Sequence, residues 1–66
     1  MLKNLADSRK EIGCSQKKMA EILGISERQY QRLEAGTSGG HMSIWKTLSK
    51  MFNCTIDRLL EQQDEN

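Results

Sequence analysis

Two arginines that lie four residues apart, Arg28 and Arg32, have the most distinctive chemistry in this sequence. The planar, forked donor set of an arginine side chain fits the O6 and N7 acceptors of guanine. Neighbouring side chains extend this chemistry, because an amide at Gln29 or Gln31 can pair with adenine and the Glu27 carboxylate can accept from cytosine N4. In an arbitrary helix these residues would be solvated surface charges, so their role depends on the elements that position them.

Helical geometry would place both arginines on one outward face. At roughly 100° per residue, with Tyr30 set to zero, Arg28 falls at about 160° and Arg32 at about 200°. Gln31 lies on the flank, whereas Glu34 returns to the inner side. An unpaired carboxylate on the inner side would be costly, so we expect a cation from another helix to meet Glu34.

The spacing of apolar residues predicts five helices and no strands. The first helix covers about residues 2–12, and the second covers residues 16–23. Ser26 caps a third helix that ends near residue 35. The fourth helix runs from residue 42 or 43 to about residue 52, and Thr55 caps the fifth. Residues 1–66 are expected to form a single domain, with a polar tail over 61–66. The inner faces are expected to hold Leu2, Leu5, the Arg9 stem and Ile12; Met19, Ala20 and Leu23; Met42, Trp45, Leu48, Ser49 and Phe52; and Ile56, Leu59 and Leu60.

A very short turn joins the second and third helices, which must therefore meet at a steep angle. Ala20 is small enough for the two helices to approach closely. Gly24 can take the left-handed conformation that the tight turn needs. Ile25 would act as an apolar plug inside the turn, so residues 16–35 are predicted to form a helix-turn-helix.

Residues 16–33 (QKKMAEILGISERQYQRL) resemble the helix-turn-helix of the phage Cro/repressor type, also called the xenobiotic-response-element family. The residues that match are the apolar Met19, Leu23, Ile25, Tyr30 and Leu33, the small Ala20 and the glycine Gly24. The resemblance covers roughly residues 5–60, through Arg9, Ser15, Gln16, Glu34, Gly36, Leu48, Phe52, Ile56, Asp57, Leu59 and Leu60. Three positions depart from the pattern: Tyr30 replaces Val or Ile, Gly40 replaces a proline, and Ser8 replaces an apolar residue.

The resemblance implies an all-α, five-helix, lambda-repressor-like fold that binds duplex DNA and regulates transcription, more often by repression. Base contacts are expected from the third helix, at Glu27, Arg28, Gln29, Gln31 and Arg32. Phosphate contacts are expected at helix N-termini and after Gly36, from Gln16, Lys17, Lys18, Ser26, Ser38, Gly39 and Ser43. A salt bridge between Arg9 and Glu34 is also implied, which would fix the recognition helix against the first helix.

Ile44 and Met51 on the fourth helix lie off the core stripe, and Leu60 lies at the edge of the inner face of the fifth helix. They suggest a self-complementary homodimer contact, although scattered surface apolar residues are common. The family usually binds two half-sites about 34 Å apart, as in a palindromic operator. No room for an effector pocket is expected, so switching would come from dimerisation, protein concentration or a regulatory protein partner.

A cytoplasmic protein, associated with the nucleoid when bound to DNA, is the simplest expectation. The net charge is only +1, but residues 1–32 carry +3 and residues 33–66 carry −2, so the basic half would face phosphates and the acidic half would face elsewhere. No signal peptide or membrane-spanning run is expected. Cys14 and Cys54 occupy apolar positions, which favours free, buried structural thiols in a reducing compartment.

An enzyme is disfavoured, and no metal, cofactor or small-molecule substrate is expected. His41 is the one histidine, and a zinc site or nucleophilic pair would need more ligands. The glycine-rich segment 36–40 lacks the preceding strand and the Gly-Lys-Ser/Thr of a phosphate-binding loop. The serious rival is a protein-interaction module, but its third helix should present an apolar outer face rather than Arg28, Gln31 and Arg32.

Overall fold

Five α-helices form the secondary structure of residues 1–37 and 41–61, the part of the chain that the computed structural model describes. No strand occurs in these two ranges. The all-α class predicted from the sequence is therefore confirmed. The helices are α1 (Lys3–Glu11), α2 (Gln16–Leu23), α3 (Glu27–Ala35), α4 (Met42–Phe52) and α5 (Ile56–Leu59).

Side-chain hydroxyls define where three of the helices begin. Ser15 accepts a hydrogen bond from the Lys18 amide at 3.0 Å, and Thr55 accepts from the Arg58 amide at 3.2 Å. Ser26 caps α3 in the same way. Each hydroxyl satisfies an amide that has no partner within its helix, so the chain enters these helices at a fixed residue.

The helices enclose one apolar core, and α2 packs most extensively against α3. α1 packs against both α3 and α5, so it links the third helix to the last one. The α1 start is fixed to α3, because the Leu2 amide donates to the Glu34 carbonyl at 2.8 Å. The buried hydrophobic residues are Leu2, Leu5, Ala6, Met19, Ala20, Tyr30, Leu33, Trp45, Leu48 and Leu59.

Three residues expected on inner faces are instead exposed: Ile12 by 51%, Met42 by 58% and Leu60 by 41%. Each lies at a helix end. Ile12 and Leu60 follow the last residues of α1 and α5 as their C-caps, and Met42 is the first residue of α4. The predictions were wrong because the helical period was extended past the point where the helix still covers the core.

The two cysteines are free thiols that lie half-buried against the core rather than fully inside it. The body measures 33 × 24 × 24 Å along its principal axes. None of the helices in the described ranges has the length and apolar character needed to cross a membrane.

Candidate nucleic-acid interface

The turn between α2 and α3 has the geometry of a helix-turn-helix. Gly24 adopts φ 72° and ψ 28°, a left-handed conformation that residues with a Cβ rarely take. The next amide, that of Ile25, donates to the Ala20 carbonyl at 3.0 Å and closes the end of α2. Ile25 itself packs half-buried against the core. The turn is thus fixed by a backbone hydrogen bond to α2 and an apolar contact with the core, just before α3 begins.

The outer face of α3 is polar and open. Arg28, Gln31 and Arg32 are exposed on it, and Glu27 is exposed at its first residue. Neither arginine forms an ion pair with any residue in the described ranges. Their forked donors are therefore available to an external acceptor, as the sequence predicts for residues that contact bases.

Gln29 has a structural role that the sequence analysis missed. Its side-chain carbonyl accepts from the Ser26 amide at 3.1 Å, while the Ser26 hydroxyl accepts from the Gln29 amide at 3.1 Å. This reciprocal pair is a capping box, and the spacing Ser-x-x-Gln is its sequence signature. The NH₂ of Gln29 and one lone pair of its side-chain oxygen are left for a base, and the Ser26 hydroxyl can still donate to a phosphate.

An ion pair fixes α3 from the inside. Arg9 Nε donates to Glu34 Oε2 at 2.6 Å, and both residues are buried, with 9% and 5% of their surface exposed. These are the two residues that the sequence analysis expected to pair. The Glu34 carboxylate raises the pKa of the Arg9 guanidinium, mainly by accepting this hydrogen bond.

The same carboxylate links α2 to the pair. Gln16 Nε2 donates to Glu34 Oε1 at 3.1 Å, so both carboxylate oxygens are engaged. Arg9 Nη1 donates to the Cys14 carbonyl at 2.7 Å, a contact with no sequence signal because any residue supplies a backbone carbonyl. One carboxylate thereby fixes the relative positions of α1, α2 and α3.

The hydroxyl of Tyr30 lies beneath this network and is unusual in its chemistry. Tyr30 is completely buried, and its Oη has no hydrogen-bond partner among the described residues. Burial, reinforced by the neighbouring Glu34 carboxylate, raises the pKa of this hydroxyl far above its ordinary value of 10.0. Tyr30 therefore remains a neutral phenol on the inner face of α3, at a position where the family has an aliphatic residue.

The N-terminus of α2 presents donors next to Gln16. The first bond within the helix joins the Met19 amide to the Ser15 carbonyl, so the amides of Gln16 and Lys17 precede the helical ladder. Lys17 and Lys18 are both exposed, and Gln16 is half-buried. Amides, helix dipole and lysine charge together favour an anion at this end.

The second group of expected phosphate contacts is only partly described. Ser38 and Gly39 lie outside the described residues. Ser43 is exposed in the first turn of α4, and its carbonyl accepts from the Thr47 hydroxyl at 3.0 Å. His41 is the N-cap residue of α4, but its side chain makes no capping hydrogen bond. It is exposed beside the same turn.

The residues expected at a dimer contact differ in exposure. Ile44 and Met51 are half-buried and pack against the core of their own chain, whereas Leu60 is exposed by 41%. No group of three or more His, Cys, Asp or Glu residues within residues 1–37 and 41–61 is arranged to hold a metal ion.

A sequence model of the helix-turn-helix family matches residues 5–59 of the chain. Comparisons with curated proteins and with solved structures each gave no significant match. Because the family match covers most of the chain, the chain belongs to the helix-turn-helix family of the Cro/C1 type. It is a transcription regulator that binds double-stranded DNA, and the resemblance seen in the sequence is confirmed.

Proposed function

We propose that the protein is a transcriptional repressor that binds a palindromic operator as a homodimer, with α3 in the major groove. The observation that carries the proposal is the outer face of α3, where Arg28 and Arg32 are exposed and form no ion pair within residues 1–37 and 41–61, while the inner face is fixed by the Arg9–Glu34 ion pair. A rigid helix with open, forked donors suits the readout of base edges, because little order has to be created on binding. Glu27, Gln29 and Gln31 complete the proposed base-contact set.

Phosphate contacts position the domain on the duplex in this proposal. Gln16 is the central residue, because one hydrogen of its amide already bonds to Glu34 and the other can donate to a phosphate oxygen. The contact would thus be transmitted to α3 through the same side chain. Lys17, Lys18 and Ser26 flank it, and Ser38, Gly39 and Ser43 are proposed for a second phosphate near the start of α4.

Repression follows from occupancy of the operator, which blocks polymerase. The protein is proposed to act in the cytoplasm and to be associated with the nucleoid when bound to DNA. Dimerisation through Ile44, Met51 and Leu60 would align two copies of α3 with two half-sites about one helical turn apart. A regulatory protein partner remains part of the proposal, as a means of switching.

The first test is selection of bound sequences from random duplex DNA, followed by a salt titration on the selected site. We expect a palindrome that Arg28→Ala binds roughly 5- to 150-fold more weakly, the range for one bidentate base contact. Lys17→Ala should weaken binding to all sequences and lower the salt slope by about one charge. Lys50→Ala is the control, since Lys50 is an exposed cation in the last turn of α4 and belongs to no proposed contact.

Dimerisation is tested separately by sedimentation in the absence of DNA. Leu60→Glu should give a monomer that still folds, because Leu60 is already exposed. Ile22→Glu is the matched control, since Ile22 is exposed by 46% on α2 and belongs to no proposed contact. If both variants sediment like the wild-type protein, the proposed dimer face is wrong. If no DNA sequence is selected at all, a protein-interaction module becomes the better interpretation.

A further inference from the structure

Arg28 and Arg32 define a fixed spacing along the outer face of α3. Both are exposed, both lie opposite the buried Tyr30, and they are four residues apart in one continuous helix. Four residues advance an α-helix by about 6 Å. Stacked base pairs repeat at about 3.4 Å, so two side chains separated in this way reach bases about two steps apart when the helix lies along the groove.

From this spacing we infer that each operator half-site contains two G·C base pairs separated by one base pair, with Arg28 bound to one guanine and Arg32 to the other. The inference rests on the proposed function and goes beyond it by naming the bases. Guanine is favoured because its O6 and N7 are the two acceptors in the major groove that a guanidinium fork binds in a bidentate manner.

Binding of these arginines to phosphate rather than to bases is disfavoured by their position on α3. The two side chains occupy the middle of the outward face, which is directed at the floor of a groove when the helix enters it. Gln31, on the flank, lines a shallow depression together with Gln16 and Glu34, on the side where α2 presents its first amides. The phosphate donors are therefore concentrated on that flank, away from the line that joins the two arginines.

The two contacts should differ in strength. Arg28 is the second residue of α3, whereas Arg32 lies one turn further along. The N-terminal residues of a recognition helix approach the base edges most closely. Arg28 should therefore discriminate its base pair more strongly than Arg32 does.

The test is selection from random duplexes with three proteins: wild type, Arg28→Gln and Arg32→Gln. Glutamine pairs with adenine, so each variant should exchange one G·C preference for A·T and leave the other unchanged. The two altered positions should be separated by one base pair. Replacement of either guanine by 7-deazaguanine removes the N7 acceptor and should weaken wild-type binding at least several-fold, with the larger loss at the Arg28 position.

Each outcome has a defined meaning, because both arginines are exposed and their variants should melt like the wild-type protein. A selected site without two G·C pairs at this spacing would overturn the inference and leave the proposed function intact. The same conclusion follows if both variants lose affinity equally for all sequences with a shallower salt slope, since the arginines would then bind phosphates. If no sequence is enriched, both the inference and the proposed function fail.

Discussion

Replacement of Tyr30 by phenylalanine tests the energetics beneath the recognition helix. The Tyr30 hydroxyl is buried and has no hydrogen-bond partner among the described residues. Leaving such a group unpaired costs about 1–3 kcal/mol, and phenylalanine keeps the packing of the ring. We therefore expect Tyr30→Phe to increase the free energy of unfolding by about 1 kcal/mol, which corresponds to a rise in Tm of about 4–8 °C for a domain of this size.

The same burial makes the wild-type protein sensitive to alkali. Because burial raises the pKa of Tyr30 above 10.0, the unfolded chain loses this proton at a lower pH than the folded chain does. The resulting stability is fully present below pH 10.0 and is lost as the pH rises towards the folded-state pKa. Each pH unit in that window costs about 1.4 kcal/mol, and a core of this size supplies only about 3–5 kcal/mol. Roughly two units should therefore remove about 3 kcal/mol, at least half of this stability.

The chain offers a clean assay because it contains one tyrosine. Tyrosinate absorbance reports Tyr30 alone, and circular dichroism reports the helices. We expect tyrosinate to appear together with the loss of helix, and the phenylalanine variant to stay helical to higher pH. Tyrosinate that forms near pH 10.0 in a chain that stays helical would refute this reasoning. A variant destabilised by about 1 kcal/mol would do the same, since the hydroxyl would then make a stabilising hydrogen bond.

Three further predictions concern the supports of α3, each measured by urea or thermal unfolding. Ser26→Ala should lower the free energy of unfolding by about 1 kcal/mol, and Gln29→Ala should lower it less because the Ser26 cap remains. Equal losses in the two variants would contradict the assigned roles. Gly24→Ala should cost about 1–2 kcal/mol through backbone strain alone, since nothing lies within 4 Å of the added Cβ. Gly24→Asn should cost less, because asparagine tolerates the left-handed conformation better. If Gly24→Ala melts like the wild-type protein, the backbone is not strained there. Arg9→Ala should cost about 3–5 kcal/mol, as much as a core of this size supplies, so this variant should be largely unfolded without denaturant. Joint replacement of Arg9 and Glu34 by methionine should cost less because no buried charge is left unpaired. If Arg9→Ala lowers the free energy of unfolding by less than about 1 kcal/mol, the ion pair behaves as a solvent-exposed one.

The helices were predictable wherever a strong local signal defined their ends. α2 was predicted from residue 16 to residue 23, as observed, because a serine cap precedes it and Gly24 follows it. Ile12, Met42 and Leu60 were misplaced because apolar periodicity describes a helix face but not where the core beneath it ends. Burial at a helix end depends on the neighbouring elements, which a single helical pattern does not contain.

The candidate site was predictable to a similar degree. The outward direction of Arg28 and Arg32 follows from helical geometry alone, and their exposure agrees with it. The Gln29 capping box has a sequence signature, the spacing Ser-x-x-Gln. The bond from Arg9 to the Cys14 carbonyl had none, because backbone acceptors are the same for every residue.

The dimensions of the body restrict how two copies can meet on DNA. Protomers centred on half-sites about 34 Å apart would touch end to end along the 33 Å axis. Arranged across either 24 Å axis, they would be separated by a gap of roughly 10 Å. If each protomer is centred over its half-site, a dimer contact on such an operator would lie at one end of the long axis. An operator with half-sites closer than one helical turn would select a different mutual orientation of the two copies, without any change in how α3 enters the groove.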